Sequence, residues 1–355
     1  MVVKITLCIL SMFVVLGTIA SFVPMDDWWV RVFDFPRGIL IAIGIVTILG
    51  LLFTQSLSHP WVILLILMLA ASITYQGTKI FPYTPLAKKE VMKAEVTKVG
   101  DTVSLLVSNV LMDNRDYDKL LNLVRDKDPS LLLTLETDKK WENAIGVIEQ
   151  DYPYTVKVPL DNLYGMHLYS KYKLEDMDVV YILDKDIPSI HGKVVLPSGK
   201  RVNLHCLHPK PPAPNESKTS TKRDVELLIV GKRVKKHEGT TIVAGDLNDV
   251  AWSNTAALFR KVSGLLDPRK GRGLYNTFHA DYPLARWPLD HVFHSNDFTL
   301  IEMERLSHIG SDHFPIFISL FYNPPAEEVQ KEKEASEEEV EEANEKIENG
   351  LKEGD

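Results

Sequence analysis

The sequence predicts an α/β domain built on a mixed pair of sheets and carried on three membrane-spanning helices. Two observations near the N-terminus and beyond it predict this. Long charge-free stretches are confined to the first 78 residues, and from residue 101 short apolar runs alternate with amphipathic segments and at least one hairpin signal. The chain has 355 residues, enough for two ordinary domains or one larger domain with accessories. Its 40 basic and 48 acidic residues are unevenly spread. Residues 326–355 hold 13 acidic and 4 basic side chains, so the remainder of the chain is close to neutral. That balance argues against a strongly basic surface for bulk nucleic-acid binding. Cys8 lies in an apolar run and Cys206 stands alone, which excludes a disulfide framework and a cysteine zinc site.

The first element reads ITLCILSMFVVLGTIASFVP from residue 5, without a charge. A cleaved signal peptide, with Thr18-Ile19-Ala20 as its cleavage site, is the competing reading of this segment. Residues 38–78 again contain no Asp, Glu, Lys or Arg, and as one helix they would span about 60 Å, roughly two hydrocarbon cores. The polar break from Gln55 to Pro60 divides them. Helices are therefore expected near 4–24, 38–56 and 60–78, with Trp28, Trp29, Trp61, Tyr75 and Tyr83 at interfacial positions. Residues 1–78 form the membrane anchor on this reading, and a lipid bilayer is its first partner. The localisation is a multi-pass cell-membrane protein. Lys4 favours an N-terminus inside, whereas Arg31, Arg37, Lys79, Lys88, Lys89 and Lys93 favour a cytoplasmic domain, so the side stays open.

Residues 79–100 read as a tether with Pro82 and Pro85, and 101–325 as the catalytic domain. Strands are expected at 103–110 and 130–136 with a helix at 117–125 between them. Further strands fall at 178–183, 192–196 and 201–207, the last two joined by a Pro197-Ser-Gly-Lys200 turn. A helix at 220–237 ends in Lys232, Arg233, Lys235 and Lys236, a cluster suited to a helix C-terminus or to a phosphate. Strands at 241–245, 289–294, 298–303 and 314–321, with a helix at 254–262, complete the series. The tail, 326–355, reads as disordered or marginally helical and solvated, with a partner-binding helix as the second reading.

No GxxxxGK[ST], GxGxxG, GxSxG or HExxH occurs, so the usual entry points to nucleotide folds, serine esterases and zincins are missing. What remains is oxygen and imidazole groups at strand ends. Asp246 and Asn248 follow the apolar run Ile242-Val-Ala-Gly and, if extended, share a face. Gly245 permits close approach of a backbone or ligand. Leu289-Asp-His-Val-Phe-His294 and Gly310-Ser-Asp-His-Phe-Pro315 supply two Asp-His pairs, and five of the eleven histidines lie between His279 and His313. His205 and His208 precede a rigid Pro-Lys-Pro-Pro turn, three residues apart and so facing opposite sides of a strand; His208, at the loop, is the better placed to face a site. Glu136 ends an apolar strand, an expensive position for a carboxylate that binds nothing, and Ser108-Asn109 ends another.

Taken in order, GDLNDVAWS (245–253), LDHVFHS (289–295) and GSDHFPI (310–316), with the looser LLTLET, LYSKYKLED (168–176) and HPKPP, resemble the endonuclease/exonuclease/phosphatase family of metal-dependent phosphodiesterases. Its members include deoxyribonuclease I, abasic-site endonucleases, neutral sphingomyelinases and inositol-phosphate phosphatases. The resemblance implies a four-layer α/β sandwich, deoxyribonuclease I-like, over about 101–322, with its site at the strand ends. It implies Glu136 as the ligand of Mg²⁺ or Mn²⁺ with Asn109 beside it, and Asp312 as a direct or water-mediated ligand. Asp246 then orients or deprotonates the attacking water, and Asn248 holds the scissile phosphate. His313 stabilises the pentacovalent phosphorus, oriented by Asp290. His208, or His205, donates to a phosphate oxygen. Leu-Glu-Thr stands where a Gln-Glu pair is common in the family, and 150–180 carries no long basic or aromatic insertion of the kind nucleases use on DNA. The implied activity is hydrolysis of a phosphodiester in a nucleic acid, phospholipid or small phosphoester. The alternative is a non-catalytic membrane scaffold that keeps the fold and binds a protein partner through its acidic tail.

Overall fold

Side-chain alternation along the strands sets the layering of the domain. The structure, a computed structural model, describes residues 1–95 and 101–353. Along Thr102–Asn109 (β1), Val103, Leu105 and Val107 face one apolar cluster while Leu106 faces another. The same division holds for Leu131–Leu135 (β2), where Leu131, Leu133 and Leu135 turn inward and Leu132 outward. Strands buried on both faces read as continuous apolar runs, which is why both were visible in the sequence.

Two sheets result among the described residues. The first orders β10-β11-β1-β2-β4-β3, with Tyr154–Val158 (β3), Met166–Ser170 (β4), Phe298–Arg305 (β10) and Ile316–Tyr322 (β11). The second orders β5-β6-β7-β8-β9, from Lys173–Val180, Ser189–Val195, Arg201–Leu207, Thr241–Asp246 and Asp290–His294. Only β1/β2 and β7/β8 pair in parallel; the other neighbours are antiparallel, so both sheets are mixed. Ile190, Leu204, Cys206, Ile242, Ala244 and Val292 of the second sheet meet the inward residues of the first in one core.

Helices cover the two outer faces. Tyr117–Lys127 (α5) and Lys139–Ile145 (α6) lay Leu120, Val124, Trp141 and Ile145 on Leu106, Leu132 and Phe317. Thr221–His237 (α7) and Asn254–Ser263 (α8) lay Leu227, Val230, Val234 and Phe259 on Leu207, Val243 and Phe293. The domain is thus the expected four-layer α/β sandwich. Ser253 caps α8 by accepting from the Ala256 N–H at 2.9 Å, and Asp138 caps α6 from Trp141 at 2.8 Å.

Three N-terminal helices are long and apolar enough to cross a membrane: Val2–Ala20 (α1), Arg37–Thr54 (α3) and Pro60–Tyr83, whose α-helical part is Pro60–Ile80 (α4). A short helix, Trp28–Arg31 (α2), lies between the first two. Arg37 is fully buried. It donates to Gln76 at 2.7 Å and pairs with Asp34, while Gln76 donates to Thr18 at 3.1 Å, so one polar chain ties α1, α3 and α4 together.

Two segments are more ordered than their composition implied. Residues 81–95, within the stretch read as a tether, run along the domain: Gly271 donates to Pro82 at 2.8 Å and Ala94 to Leu300 at 2.8 Å. Residues 96–100 of that stretch lie outside the described residues. The acidic tail forms a helix, Glu337–Glu353 (α9), that packs Ala343 and Ile347 against Leu228, Leu258 and Val262 of α7 and α8. A solvated tail was expected. Sparse apolar residues at helical spacing found a matching face, and Lys232, Lys235 and Lys261 meet Asn344, Glu332 and Glu339. Lys232 and Lys235 of the cluster weighed as a phosphate contact therefore serve the tail.

Candidate active site

The site forms where β1, β2, β7 and β8 end and β9 begins, on one side of the sandwich. β1 delivers Asn109, the turn after β2 delivers Glu136, and β8 ends on Asp246 beside Asp290 of β9. Register puts Gly245 opposite Leu207 of β7. Gly245 has φ +146, and a Cβ there would lie 1.9 Å from the Leu207 carbonyl oxygen, so no larger residue lets β7 and β8 approach this closely.

Asp246 is the hub. Its Oδ2 accepts from Asn109 Nδ2 at 3.1 Å and lies 3.5 Å from His313 Nε2 and 3.8 Å from His208 Nε2. The same Asn109 amide donates to Glu136 at 2.7 Å, so one carboxamide joins the carboxylates of both sheets. His313 Nδ1 meets Asp290 Oδ2 at 2.8 Å, the orienting pair that the resemblance implied. Ser311 Oγ donates to the Asn109 carbonyl at 2.8 Å and accepts from the His313 N–H at 3.0 Å, fixing the 310–313 turn to β1. Asp312 lines the same cavity as Glu136, Asp246, Asn248, His208 and His313.

Asn248 arrives there by a different route from the one expected. β8 stops at Asp246, and Asn248 has φ +51. Its N–H donates to Asp246 Oδ1 at 2.9 Å and its amide to the Pro209 carbonyl at 3.0 Å. An Asx-type turn, not strand alternation, brings the two together. Glu136 also sits at positive φ, +58, and such conformations concentrate where surrounding structure enforces a functional geometry.

Burial sets the charges. It pushes Glu136 up to about 7 against the opposing Asn109 hydrogen bond, and it raises Asp246 despite His313. Burial alone would lower His313, but Asp290 and Asp246 outweigh it and push the imidazole up to about 10. His208 is lowered by burial to about 4, against the pull of Asp246. The site therefore holds one cationic and one neutral imidazole at neutral pH.

Carboxylate oxygens of Asp246 and Asp290 and a His313 nitrogen lie within 4.8 Å of one another, fully buried. Among the described residues, Asp290 Oδ1 and His208 Nδ1 are buried with no hydrogen-bond partner. In that cluster His313 is already paired with Asp290, whereas the Glu136, Asp246 and Asp312 carboxylates that line the cavity form an oxygen donor set that fits a hard divalent cation. Asn109, expected beside the cation, turns no ligand oxygen towards the acids: its Oδ1 accepts from the Leu111 N–H at 3.1 Å while its amino group donates to Glu136 and Asp246.

His205 does not join the site. It lies on β7 opposite His191, their Nδ1 atoms 2.7 Å apart, on the face turned away from Asp246. His208, favoured in the sequence for its place at the loop, lies on the Asp246 side, as strand alternation from His205 requires. Sequence reasoning missed Arg223, a buried α7 residue that donates to the Asn248 carbonyl at 2.7 Å and lies 3.6 Å from Asp249. It also missed Thr277, whose hydroxyl accepts from the Asp290 N–H at 3.2 Å. Neither carried a signal, since an Arg at a helix start and a Thr in a loop are ordinary.

The class this fold and site define is confirmed by comparison. Residues 106–313, more than half of the chain, match the model of the endonuclease/exonuclease/phosphatase family. The chain belongs to that family, which is named for three kinds of phosphoester-hydrolysing enzyme. Solved structures repeat the fold. D. rerio TDP2 complexed with a single-strand DNA product is 16% identical, with 62% of this chain and 98% of that one covered and a TM-score of 0.51. An endonuclease/exonuclease/phosphatase from Bacteroides vulgatus is 15% identical over 62% and 99%, TM-score 0.52. The human Nocturnin catalytic domain with a bound sulfate anion is 14% identical over 64% and 97%, TM-score 0.51. At these identities the likeness is one of fold. No curated protein sequence matches the chain.

Proposed function

We propose that this chain is a membrane-anchored, Mg²⁺- or Mn²⁺-dependent phosphodiesterase, with residues 1–78 as anchor and 101–325 as catalytic domain. The observation that carries the reading is convergence: Asn109, Glu136, His208, Asp246, Asn248, Asp290, Asp312 and His313, spread over two hundred residues, meet at one cavity, with direct hydrogen bonds joining Asn109 to Glu136 and Asp246, Asn248 to Asp246, and His313 to Asp290. A scaffold with a retired site would have no reason to keep them assembled, and the tail proposed as its partner-binding element already uses its apolar side within the chain.

The residues divide the work. Glu136 and Asp312 would hold the cation, with Asn109 as the brace between Glu136 and Asp246. When bound, the cation supplies charge neutralisation at the phosphate. Asp246 orients the attacking water and takes its proton. The water oxygen forms the new P–O bond, the P–O bond to the leaving alcohol breaks, and the leaving oxygen takes up a proton. The products are a phosphomonoester and an alcohol. His313, held cationic by Asp290 and Asp246, stabilises the charge that builds on the phosphorus oxygens. His208, neutral, donates to a phosphate oxygen, and the second amide hydrogen of Asn248 remains for the same phosphate.

Asp246→Asn and His313→Ala should each lower turnover of bis(p-nitrophenyl) phosphate by about 10²–10⁴-fold with Mg²⁺ present. Unchanged turnover in either variant would sink the assignment. Metal binding has a separate readout: saturating Mg²⁺ or Mn²⁺ should raise the Tm of the full chain, by the equivalent of about 2.7 kcal/mol at a hundredfold excess over Kd, and Glu136→Gln should abolish that rise.

A further inference from the structure

The cavity that holds the candidate site has a volume of about 590 Å³, and part of its wall comes from outside the catalytic domain. Trp28, Val32, Phe35 and Pro36 line it, all from the sixteen residues between α1 and α3. That loop is fastened to the domain. Trp28 N–H donates to Lys218 at 2.9 Å, Ser220 N–H to Asp26 at 2.7 Å, and the Trp252 indole N–H to the Asp34 carbonyl at 2.7 Å. Phe35 packs edge-on against Trp287 with ring centroids 5.7 Å apart, and Phe278 lies 4.9 Å from the His313 ring. An apolar surface therefore runs without a break from the anchor loop to the catalytic histidine.

Its place in the molecule is as telling as its chemistry. The loop leaves α1 and re-enters at α3, so it lies where two spans emerge. Trp29, beside Trp28, is half exposed, as interfacial tryptophans are. Val32, 45% exposed, faces both the cavity and the surface. No Lys or Arg is among the residues that line this cavity. A nucleic acid brings a row of phosphates and draws its affinity from several basic contacts. This cavity offers one acid-and-imidazole centre beside a large apolar wall.

We propose that the substrate is a phospholipid, whose phosphodiester lies at Asp246 and His313 while its acyl chains lie against Trp28, Val32, Phe35 and Trp287. The proposal rests on the phosphodiesterase reading and narrows it. The anchor then has two tasks, holding the enzyme at the bilayer and forming the wall that receives the lipid. Hydrolysis proceeds with the balance given above, one water consumed for one alcohol released.

The test uses the full chain in amphipol with Mg²⁺ or Mn²⁺, and dibutanoyl-, dipentanoyl- and dihexanoyl-phosphatidylcholine below their critical micelle concentrations. Bis(p-nitrophenyl) phosphate and a single-stranded oligonucleotide serve as comparators. Each methylene that becomes buried should raise kcat/KM by up to about fourfold, and Val32→Asp should flatten that rise. Should Val32→Asp fail to fold, Val32→Ala gives the same readout more weakly. A flat chain-length profile with bis(p-nitrophenyl) phosphate still turned over, or a higher kcat/KM on the oligonucleotide, overturns the lipid assignment and leaves the phosphodiesterase standing. A slope untouched by both variants also overturns it. Failure to hydrolyse any of the probes removes the phosphodiesterase reading, and this one with it.

Discussion

Glu226 shows how burial acts on a carboxyl group away from the site. It lies on α7 under β6, where Ser189 Oγ donates to it at 2.8 Å. Burial pushes it from 4.5 up to about 7, against that hydrogen bond. Because the folded value is above the unfolded one, the stabilisation by the neutral acid is complete below about 4.5 and is lost as pH rises through about 7. Glu226→Gln keeps the size and the Ser189 contact without the charge. Relative to wild type, the variant should gain up to about 3 kcal/mol between pH 4.5 and pH 8. Thermal melts of both chains across that range check this; a difference independent of pH would show that Glu226 is not the titrating group. The site residues themselves were legible for a related reason. An apolar strand that ends in Glu136 or Asp246 places an acid where burial is costly, so chemistry is the economical explanation. The reasoning failed where it needed three dimensions. Asn248 turns in through a left-handed backbone, His205 turns away, and Arg223 supports the 246–249 turn from a helix that reads as ordinary.

Elements with a continuous apolar run or a clear apolar face were read to within a few residues: 201–207 and the start of α8 agree with the structure, β1 and β2 differ by one residue at each end, and β8 by one at its C-terminal end. The elements that escaped share a mixed character. β3, YTVKV, is an edge strand with no fully buried residue, and β4, MHLYS, alternates no clear face. β5 was expected at 178–183 but runs Lys173–Val180, with a register shift between Glu175 and Asp178 and Asp176 at φ +53. A bulge breaks the period of two on which strand reading depends. For α9 a marginal helix was among the readings, but its packing against α7 and α8 escaped because charge dominates its composition and its one fully buried apolar side chain is Ala343. Ala343→Asp puts an unpaired charge against Leu228, Leu258 and Val262, which costs about 2–4 kcal/mol at that contact. Limited proteolysis should then cut within 331–353 while the sandwich remains resistant. Equal resistance in variant and wild type would mean that the charged contacts to Lys232, Lys235 and Lys261 hold the helix without its apolar stripe.

The N-terminal helices and the α/β sandwich are joined along two segments, so the sandwich does not hang from a single strand of chain. The 21–36 loop pairs with 218–220, and Tyr83 OH donates to the Ala251 carbonyl at 2.5 Å from just beyond α4. Trp252 stands between them. Its ring packs edge-on to Tyr83 at 6.1 Å, and its indole N–H reaches Asp34, whose side chain pairs with Arg37 at the start of α3. Asp249, two residues before Ala251, lies on the 246–249 turn beside Arg223. The seam between the N-terminal helices and the sandwich thus adjoins the turn that fixes Asn248, and movement of the 21–36 loop would be felt at the candidate site. Trp252→Phe keeps the packing and removes one hydrogen bond, leaving the Asp34 carbonyl without that donor, which costs about 1–1.5 kcal/mol. Amide exchange across 27–36 should accelerate about tenfold in the full chain, with β8 unaffected, as read by hydrogen-exchange mass spectrometry. If β8 accelerates equally, the substitution has loosened the whole fold. If 27–36 does not change, the loop is held by its strand-like pairing with 218–220, and Trp252 contributes packing alone.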